Sequence, residues 1–161
     1  MNRLDATRVG DVALRPARLE DCARIWEWRN DPETRQASFD AAPIPLETHE
    51  VWFRASLGRV DRRLYVILAQ GRECGSARLD FAGGEAEVSI HLAPEYRGRG
   101  VGPAALERLA EAAFGELELG RLVARVKADN AASLAAFERA GFTRVVDGAA
   151  VTLARARQER A

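Results

Sequence analysis

Apolar and polar positions follow two different periods along this chain, and each change of period marks an element. Val12-Ala13-Leu14-Arg15 is a short run stopped by Pro16 and predicts a strand. Residues 20–29 change to helical spacing, with Cys22, Ala23, Ile25 and Trp26 as the inward side. Asn30-Asp31-Pro32 ends that helix, because a residue before proline avoids the helical region. A second helix is predicted over Leu46–Leu57, closed by Gly58. Residues 64–69 are almost continuously apolar and predict a central strand. Gln70-Gly71-Arg72 turns into a strand over 74–81, and Gly83-Gly84 turns again into Glu85–Leu92. Strands in succession joined by such short turns predict an antiparallel meander.

The second half changes character. Leu106, Leu109, Ala110 and Ala113 share one face of a helix over 104–114, which leads to a strand over Arg121–Lys127. A crossover helix favours parallel pairing of the strands it joins. Asp129 or Asn130 caps a fourth helix over 131–140, terminated by Gly141. Two shorter strand candidates, 142–146 and 151–153, flank Asp147-Gly148, and the arginine-rich stretch 154–161 reads as a solvated tail. The expectation is an α/β (α+β) fold with a mixed, mostly antiparallel sheet flanked by helices. Residues 1–161 form one domain, with its core over about 12–153.

Composition narrows the partners. The chain has 161 residues and a formal net charge of +0, so it lacks the basic excess of a nucleic-acid-binding protein. Cys22 and Cys74 have no metal-ligand spacing and read as reduced, buried small hydrophobes. Residues 1–10 hold no hydrophobic signal core, and no apolar run approaches the ~20 residues of a membrane span. A soluble cytoplasmic protein without metal is expected, either monomer or homodimer.

The chemistry concentrates in Pro94-Glu95-Tyr96-Arg97-Gly98-Arg99-Gly100-Val101-Gly102-Pro103, between a strand and a helix. Glycines let main-chain N–H groups approach a ligand, and a helix N-terminus favours an anion; Pro103 suits a first helical position. With the cations Arg97 and Arg99, the stretch is a candidate phosphate site. No Lys-Ser or Lys-Thr follows, which excludes a P-loop. Gly100-Val101-Gly102-Pro103-Ala104-Ala105 fits the dinucleotide fingerprint, but the next strand's acidic residue, Asp129, comes late. An ordinary glycine turn with surface arginines is the plain alternative.

Arg97-x-x-Gly100-x-Gly102 resembles the [QR]-x-x-G-x-[GA] signature of the GNAT acetyltransferases. Asn130-x-x-Ser133-x-x-x-Phe137-x-x-x-Gly141-Phe142 resembles the second signature of that superfamily, with one strand between the two. The resemblance implies that residues 97–102 (Arg97, Gly98, Arg99, Gly100, Val101, Gly102) grip the diphosphate of acetyl-CoA. It implies a splay between the strand ending at Leu92 and the next, with pantetheine on exposed main chain near His91 and Leu92. Asn130 would bond the pantetheine arm and Ser133 a phosphate oxygen; a helix cap and a surface hydroxyl are the structural alternatives. The signature often has tyrosine where this chain has Phe137, at the cofactor site, so no general acid is named.

Such an enzyme must take a proton from an ammonium and stabilise an oxyanion. By the same resemblance the Leu92 N–H is the oxyanion donor. Glu87, Ser89 and His91 share the polar face of their strand, which lines the expected acceptor cleft. Glu87 is the first candidate base and His91 the second, set against a plain wet strand face. Trp28-Arg29-Asn30-Asp31-Pro32, followed by His49 before Trp52 and Phe53, resembles the nucleotide-amino-sugar N-acetyltransferases of the pseudaminic-acid pathway. That branch implies a UDP-linked amino-sugar acceptor contacted by Arg29, Asn30 and His49, with Trp28 or Trp52 as a stacking face. Core tryptophans and a helix-end arginine are the alternative. Ribosomal-protein N-terminal acetyltransferases share the layout, and a silent CoA-binding module is a third possibility favoured by Phe137.

Overall fold

The computed structural model describes residues 9–158. Its strands are β1 (Val12–Pro16), β2 (Arg62–Ala69), β3 (Arg72–Ala82), β4 (Glu85–Leu92), β5 (Arg121–Lys127), β6 (Thr143–Asp147) and β7 (Ala150–Ala156). Its helices are α1 (Cys22–Asn30), α2 (Pro32–Ala37), α3 (Leu46–Leu57), α4 (Val101–Glu111) and α5 (Ala131–Arg139). The strands form one sheet in the order β1-β2-β3-β4-β5-β7-β6. Every neighbouring pair is antiparallel except β4 and β5, the pair joined through α4, which run parallel. The mixed, mostly antiparallel sheet expected from the sequence is therefore the observed one. None of the described helices is long and apolar enough to cross a membrane.

β2 shows why its sequence is almost continuously apolar. Ile67 and Ala69 pack into the larger core under α4 and α5. Val66, Leu64 and Leu68 pack into a second core with Ile25, Trp28 and Phe53 from α1 and α3. A strand covered on both faces has no polar side to show. β4 is one-sided by comparison: Ala86, Val88, Ile90 and Leu92 join the larger core, leaving Glu87, Ser89 and His91 on the α1/α3 face.

Several expectations need correction. The inward side of α1 is Ile25 and Trp28, with Trp26 half-buried and Ala23 exposed. Asn30-Asp31-Pro32 ends α1 but also starts α2: the Asp31 carboxylate accepts from the Thr34 N–H at 3.2 Å, and Pro32 sits at the first turn. α4 begins two residues before Pro103, behind Gly100 as its cap. Residues 154–156 are not tail but the end of β7, whose Val151, Leu153 and Ala154 are buried. Arg155 from that segment bonds Glu107 and the Ala140 carbonyl, each at 2.8 Å. Cys74 is fully buried as expected, whereas Cys22 is half-buried.

Candidate active site

β4 and β5 are in register only at Glu85–Arg121, Ala86–Leu122 and Glu87–Val123. Beyond Glu87 the two strands part. The hairpin closed at Ala82–Glu85 fixes which main-chain groups face the opening, because bonded and non-bonded pairs alternate along an antiparallel ladder. Ala93 donates to Cys74 at 2.8 Å, so the bonded set includes His91 opposite Ser76 and Ser89 opposite Arg78. Leu92 and Ile90 then turn their N–H and C=O groups toward β5, into the gap. Main-chain groups of His91 are committed to β3, so the expected exposed main chain lies at Leu92 alone of that pair.

The gap leads directly into the glycine loop. Gly98 and Gly100 both lie in the left-handed region, at φ 73° and 81°, which folds the loop back onto the start of α4. The first turn of a helix leaves its N–H groups without intrahelical partners, and Val101 and Gly102 occupy that turn. Arg99 is exposed, its guanidinium carbon 5.9 Å from the Tyr96 ring centre. Arg97 does not turn toward the loop, which corrects its expected place among the phosphate cations. Its guanidinium bonds Asp31 at 2.8 Å, Thr34 Oγ1 at 2.7 Å and the Leu92 carbonyl at 3.1 Å, and it also pairs with Glu33. Leu92 thereby keeps its N–H as the group offered to the gap. On the far strand, Lys127 Nζ donates to the Gln36 carbonyl at 2.9 Å, so α2 is tied to both diverging strand ends.

The second signature splits in two. Asn130 caps α5, its Oδ1 accepting from the Ser133 N–H at 3.2 Å, which is the structural alternative considered for it. Ser133 itself is half-buried at the start of that helix. Phe137 is 3% exposed and meets Phe142 edge-on with ring centres 5.0 Å apart. It is a core residue, which corrects its place at the cofactor site.

On the α1/α3 face a narrow pocket is lined by Ile25, Arg29, Trp52, Leu64, Ser76, Arg78, Ser89 and His91. Four of the expected substrate or base residues, Arg29, Trp52, Ser89 and His91, meet there. Four do not. Trp28 is 5% exposed and belongs to the second core, so it offers no stacking face. His49 is fully buried beneath Arg29 and presents no surface to a ligand. Asn30 Oδ1 accepts from the Ile44 N–H at 2.9 Å and holds the loop before α3. Glu87 lies in the still-paired part of β4, held by Arg125 at 3.2 Å, roughly 13 Å along the strand from His91.

His49 nonetheless shapes the site. Arg29 Nη1 donates to its Nδ1 at 3.0 Å, and its Nε2 donates to the Cys22 carbonyl at 3.0 Å. A guanidinium only donates and a carbonyl only accepts, so the ring is neutral with its proton on Nε2. Burial, then the nearby Arg29 charge, pushes its pKa down to about 4. His91 is likewise pushed down to about 4, first by burial and then by Arg29, Arg78 and Arg97. Arg29 itself falls to about 10 through burial and the charges of Arg78 and Arg62. Arg62 and Arg78 were not singled out from the sequence. The two-residue turn Gly83-Gly84 carried the signal for Arg78, since it places that residue opposite Ser89.

The described residues contain no group of three metal-ligating side chains. Residues 11–143 match the family model described as an acetyltransferase (GNAT) domain. An uncharacterized N-acetyltransferase of Bacillus licheniformis is 25% identical over 131 residues, 76% of this chain and 74% of that one. A ribosomal N-acetyltransferase homologue of Bacillus subtilis is 37% identical over 79 residues, covering 47% of this chain and 43% of its own length. Spermidine N-acetyltransferase from Vibrio cholerae, solved with CoA and spermine, superposes with a TM-score of 0.82 at 19% identity. That match covers 92% of this chain and 96% of the other. An aminoglycoside acetyltransferase in complex with coenzyme A gives 0.79 at 20% identity over 91% and 95% of the two chains. At such identities the solved structures speak to the fold, and it is the match over residues 11–143 that assigns the family. The chain belongs to the GNAT acetyltransferase family and is an acetyl-CoA-dependent N-acetyltransferase.

Proposed function

We propose that this enzyme acetylates a primary amine presented from the α1/α3 face, and that the favoured acceptor is the 4-amino group of a UDP-linked amino-sugar. One observation carries the layout: pairing of β4 with β5 stops at Glu87 just before the strand enters the glycine loop. The main-chain N–H groups of residues 98–102, with Arg99, suit the diphosphate of acetyl-CoA. From the start of α5, the Asn130 side-chain NH2 would bond the pantetheine arm and the Ser133 hydroxyl a phosphate oxygen, as the family resemblance implies. Acetyl-CoA supplies a thioester acetyl group, and the chain's own residues do the rest. Leu92 N–H offers an oxyanion donor on the gap side of β4. His91, on the opposite face at the same strand end, is neutral and able to accept the ammonium proton directly or through water. It replaces Glu87 as the base, because Glu87 is outside the pocket.

Phe137 donates no proton to the departing thiolate. A thiol's reference pKa of roughly 8.5 makes thiolate release at pH 7 uphill by only about 2 kcal/mol, which water covers. The amino-sugar acceptor is supported by the Trp28-to-Pro32 resemblance and by the arginines of the pocket, which repel the polycationic substrates of the polyamine and aminoglycoside enzymes. The Bacillus subtilis relative favours a second reading, acetylation of a protein N-terminus. Thiol release from acetyl-CoA, measured against UDP-amino-sugars and N-terminal peptides, tests both. Turnover with the sugars is expected. Turnover confined to peptides selects the second reading, and acetyl-CoA binding without turnover on either panel overturns both.

A further inference from the structure

The acceptor pocket holds more positive charge than amine acetylation requires, and one of its cations has no carboxylate partner among the described residues. The guanidinium carbons of Arg29, Arg62 and Arg78 lie 4.3, 5.3 and 5.4 Å from the centre of the Trp52 ring. Arg62 and Arg78 share Asp80, and they also bond Ser56 and Ser89. Arg29 bonds only to neutral His49, and among the described residues no carboxylate forms an ion pair with it. Among the other partly buried arginines of the described residues, Arg35 donates to the Asn30 and Ala41 carbonyls at 3.1 and 3.2 Å, and others meet carboxylates. Arg15 is met by Asp21 and Glu73, Arg97 by Asp31 and Glu33, and Arg155 by Glu107. A half-buried guanidinium without an anion is costly to fold, and an aromatic face offsets only part of that cost.

We infer that the pocket is an anion receptor: the acceptor amine carries an oxyanion, phosphoryl or carboxylate, that docks on Arg29 beside Arg78, with Trp52 as the floor. His49 acts as a positioning residue. It holds Arg29 from behind without neutralising it, where a carboxylate at the same place would satisfy the cation and close the site. The inference deepens the acetyl-transfer reading and rests on it only for what the oxyanion is attached to. Two consequences follow for that reaction. Free polyamines are poor acceptors, and a peptide acceptor needs an acidic side chain near its N-terminus. The docked anion also acts on the base. His91 faces Arg29 from α1, Arg78 from β3 and Arg97 from the loop after β4, with Ser76, Ser89 and Tyr65 lining the same pocket. An anion between these cations weakens their field and raises the proton affinity of the imidazole.

Calorimetry on the CoA-loaded protein tests the receptor, because bound CoA fills the glycine-loop cradle that would otherwise take the same probes. UDP and pyrophosphate report phosphoryl binding, and malonate reports carboxylate binding. Wild type is expected to bind at least one class. Arg29→Met should weaken that binding by roughly ten- to a hundredfold while leaving the prior CoA titration unchanged. Arg29→Lys should retain an intermediate affinity, and it serves in place of Arg29→Met if that variant does not fold. The histidine resonances should titrate at higher pH once the anion is bound. Absence of probe binding to CoA-loaded wild type, or equal binding by Arg29→Met (by Arg29→Lys where it stands in), overturns the proposal. Failure of every amine to turn over would instead strike the acetyl-transfer reading and leave these titrations standing.

Discussion

The two sides of the gap between β4 and β5 are made of different materials. On the coenzyme side the candidate groups are mostly main-chain: N–H groups of a loop bent by Gly98 and Gly100, the first turn of α4, and Leu92. On the acceptor side they are side chains gathered from α1, α3, β3 and β4. Arg97 and Arg29 show what that difference means. Arg97 belongs to the coenzyme loop by sequence, yet its charge is spent on α2. Arg29 ends a helix in the acceptor half and, among the described residues, has only neutral His49 as a hydrogen-bond partner. Main-chain cradles tolerate variation around them, whereas a side-chain pocket changes its ligand when one partner changes.

The largest test of the contrast is at His91. His91→Gln should lower kcat by about a hundredfold with acetyl-CoA affinity unchanged, as expected for loss of a general base. Glu87→Gln, on the same strand face but outside the pocket, should stay within about twofold of wild type. Steady-state kinetics over a pH series checks both, and equal losses for the two would return Glu87 to the mechanism. The coenzyme side breaks in a different way. Gly100 sits at φ 81°, and a β-branched side chain there is strained by about 1–2 kcal/mol. Gly100→Val should therefore weaken acetyl-CoA binding about tenfold, measured calorimetrically, with anion binding to the acceptor pocket intact.

A further effect is expected on stability. The chain has 2 histidines, and both are pushed from 6.5 to about 4 in the folded state. Their folded values lie below the unfolded one, so the unfolded chain takes up protons first as pH falls. Stability is then complete above pH about 6.5 and declines toward pH about 4, by about 1–3 kcal/mol for each histidine. Urea unfolding at pH 7, 5.5 and 4.5 should show the decline, and imidazole proton resonances should titrate near pH 4. Resonances that titrate near 6.5 would mean that neither burial nor the arginine field acts on the rings.

Much of this architecture was legible because its causes are local. Gly83-Gly84 sets the β3–β4 register, and with it the face shared by Ser89 and His91. The alternation of β4 assigns its two faces without any knowledge of the helices. Where causes were distant, the reading failed. Pro32 reads from the sequence only as a stop, although the same residue opens α2 once Asp31 caps it. Trp26 and Trp28 are two positions apart on a short helix, and only packing against Val66 and Phe53 shows which one is core. Arg155 is indistinguishable from the other arginines near the end of the chain until Glu107 of α4 meets it.

By itself, the sequence determined the strand–loop–helix cradle and the order of elements, because glycine conformations, helix starts and strand periods are set by residues a few positions apart. Tertiary structure decided which arginine has a charge to offer a ligand. That choice depends on whether carboxylates arrive from elsewhere, as Asp31 does for Arg97 across 66 positions of chain. No local pattern records whether such a partner comes. The fold brought one to Arg97, and to Arg29 it brought a neutral histidine.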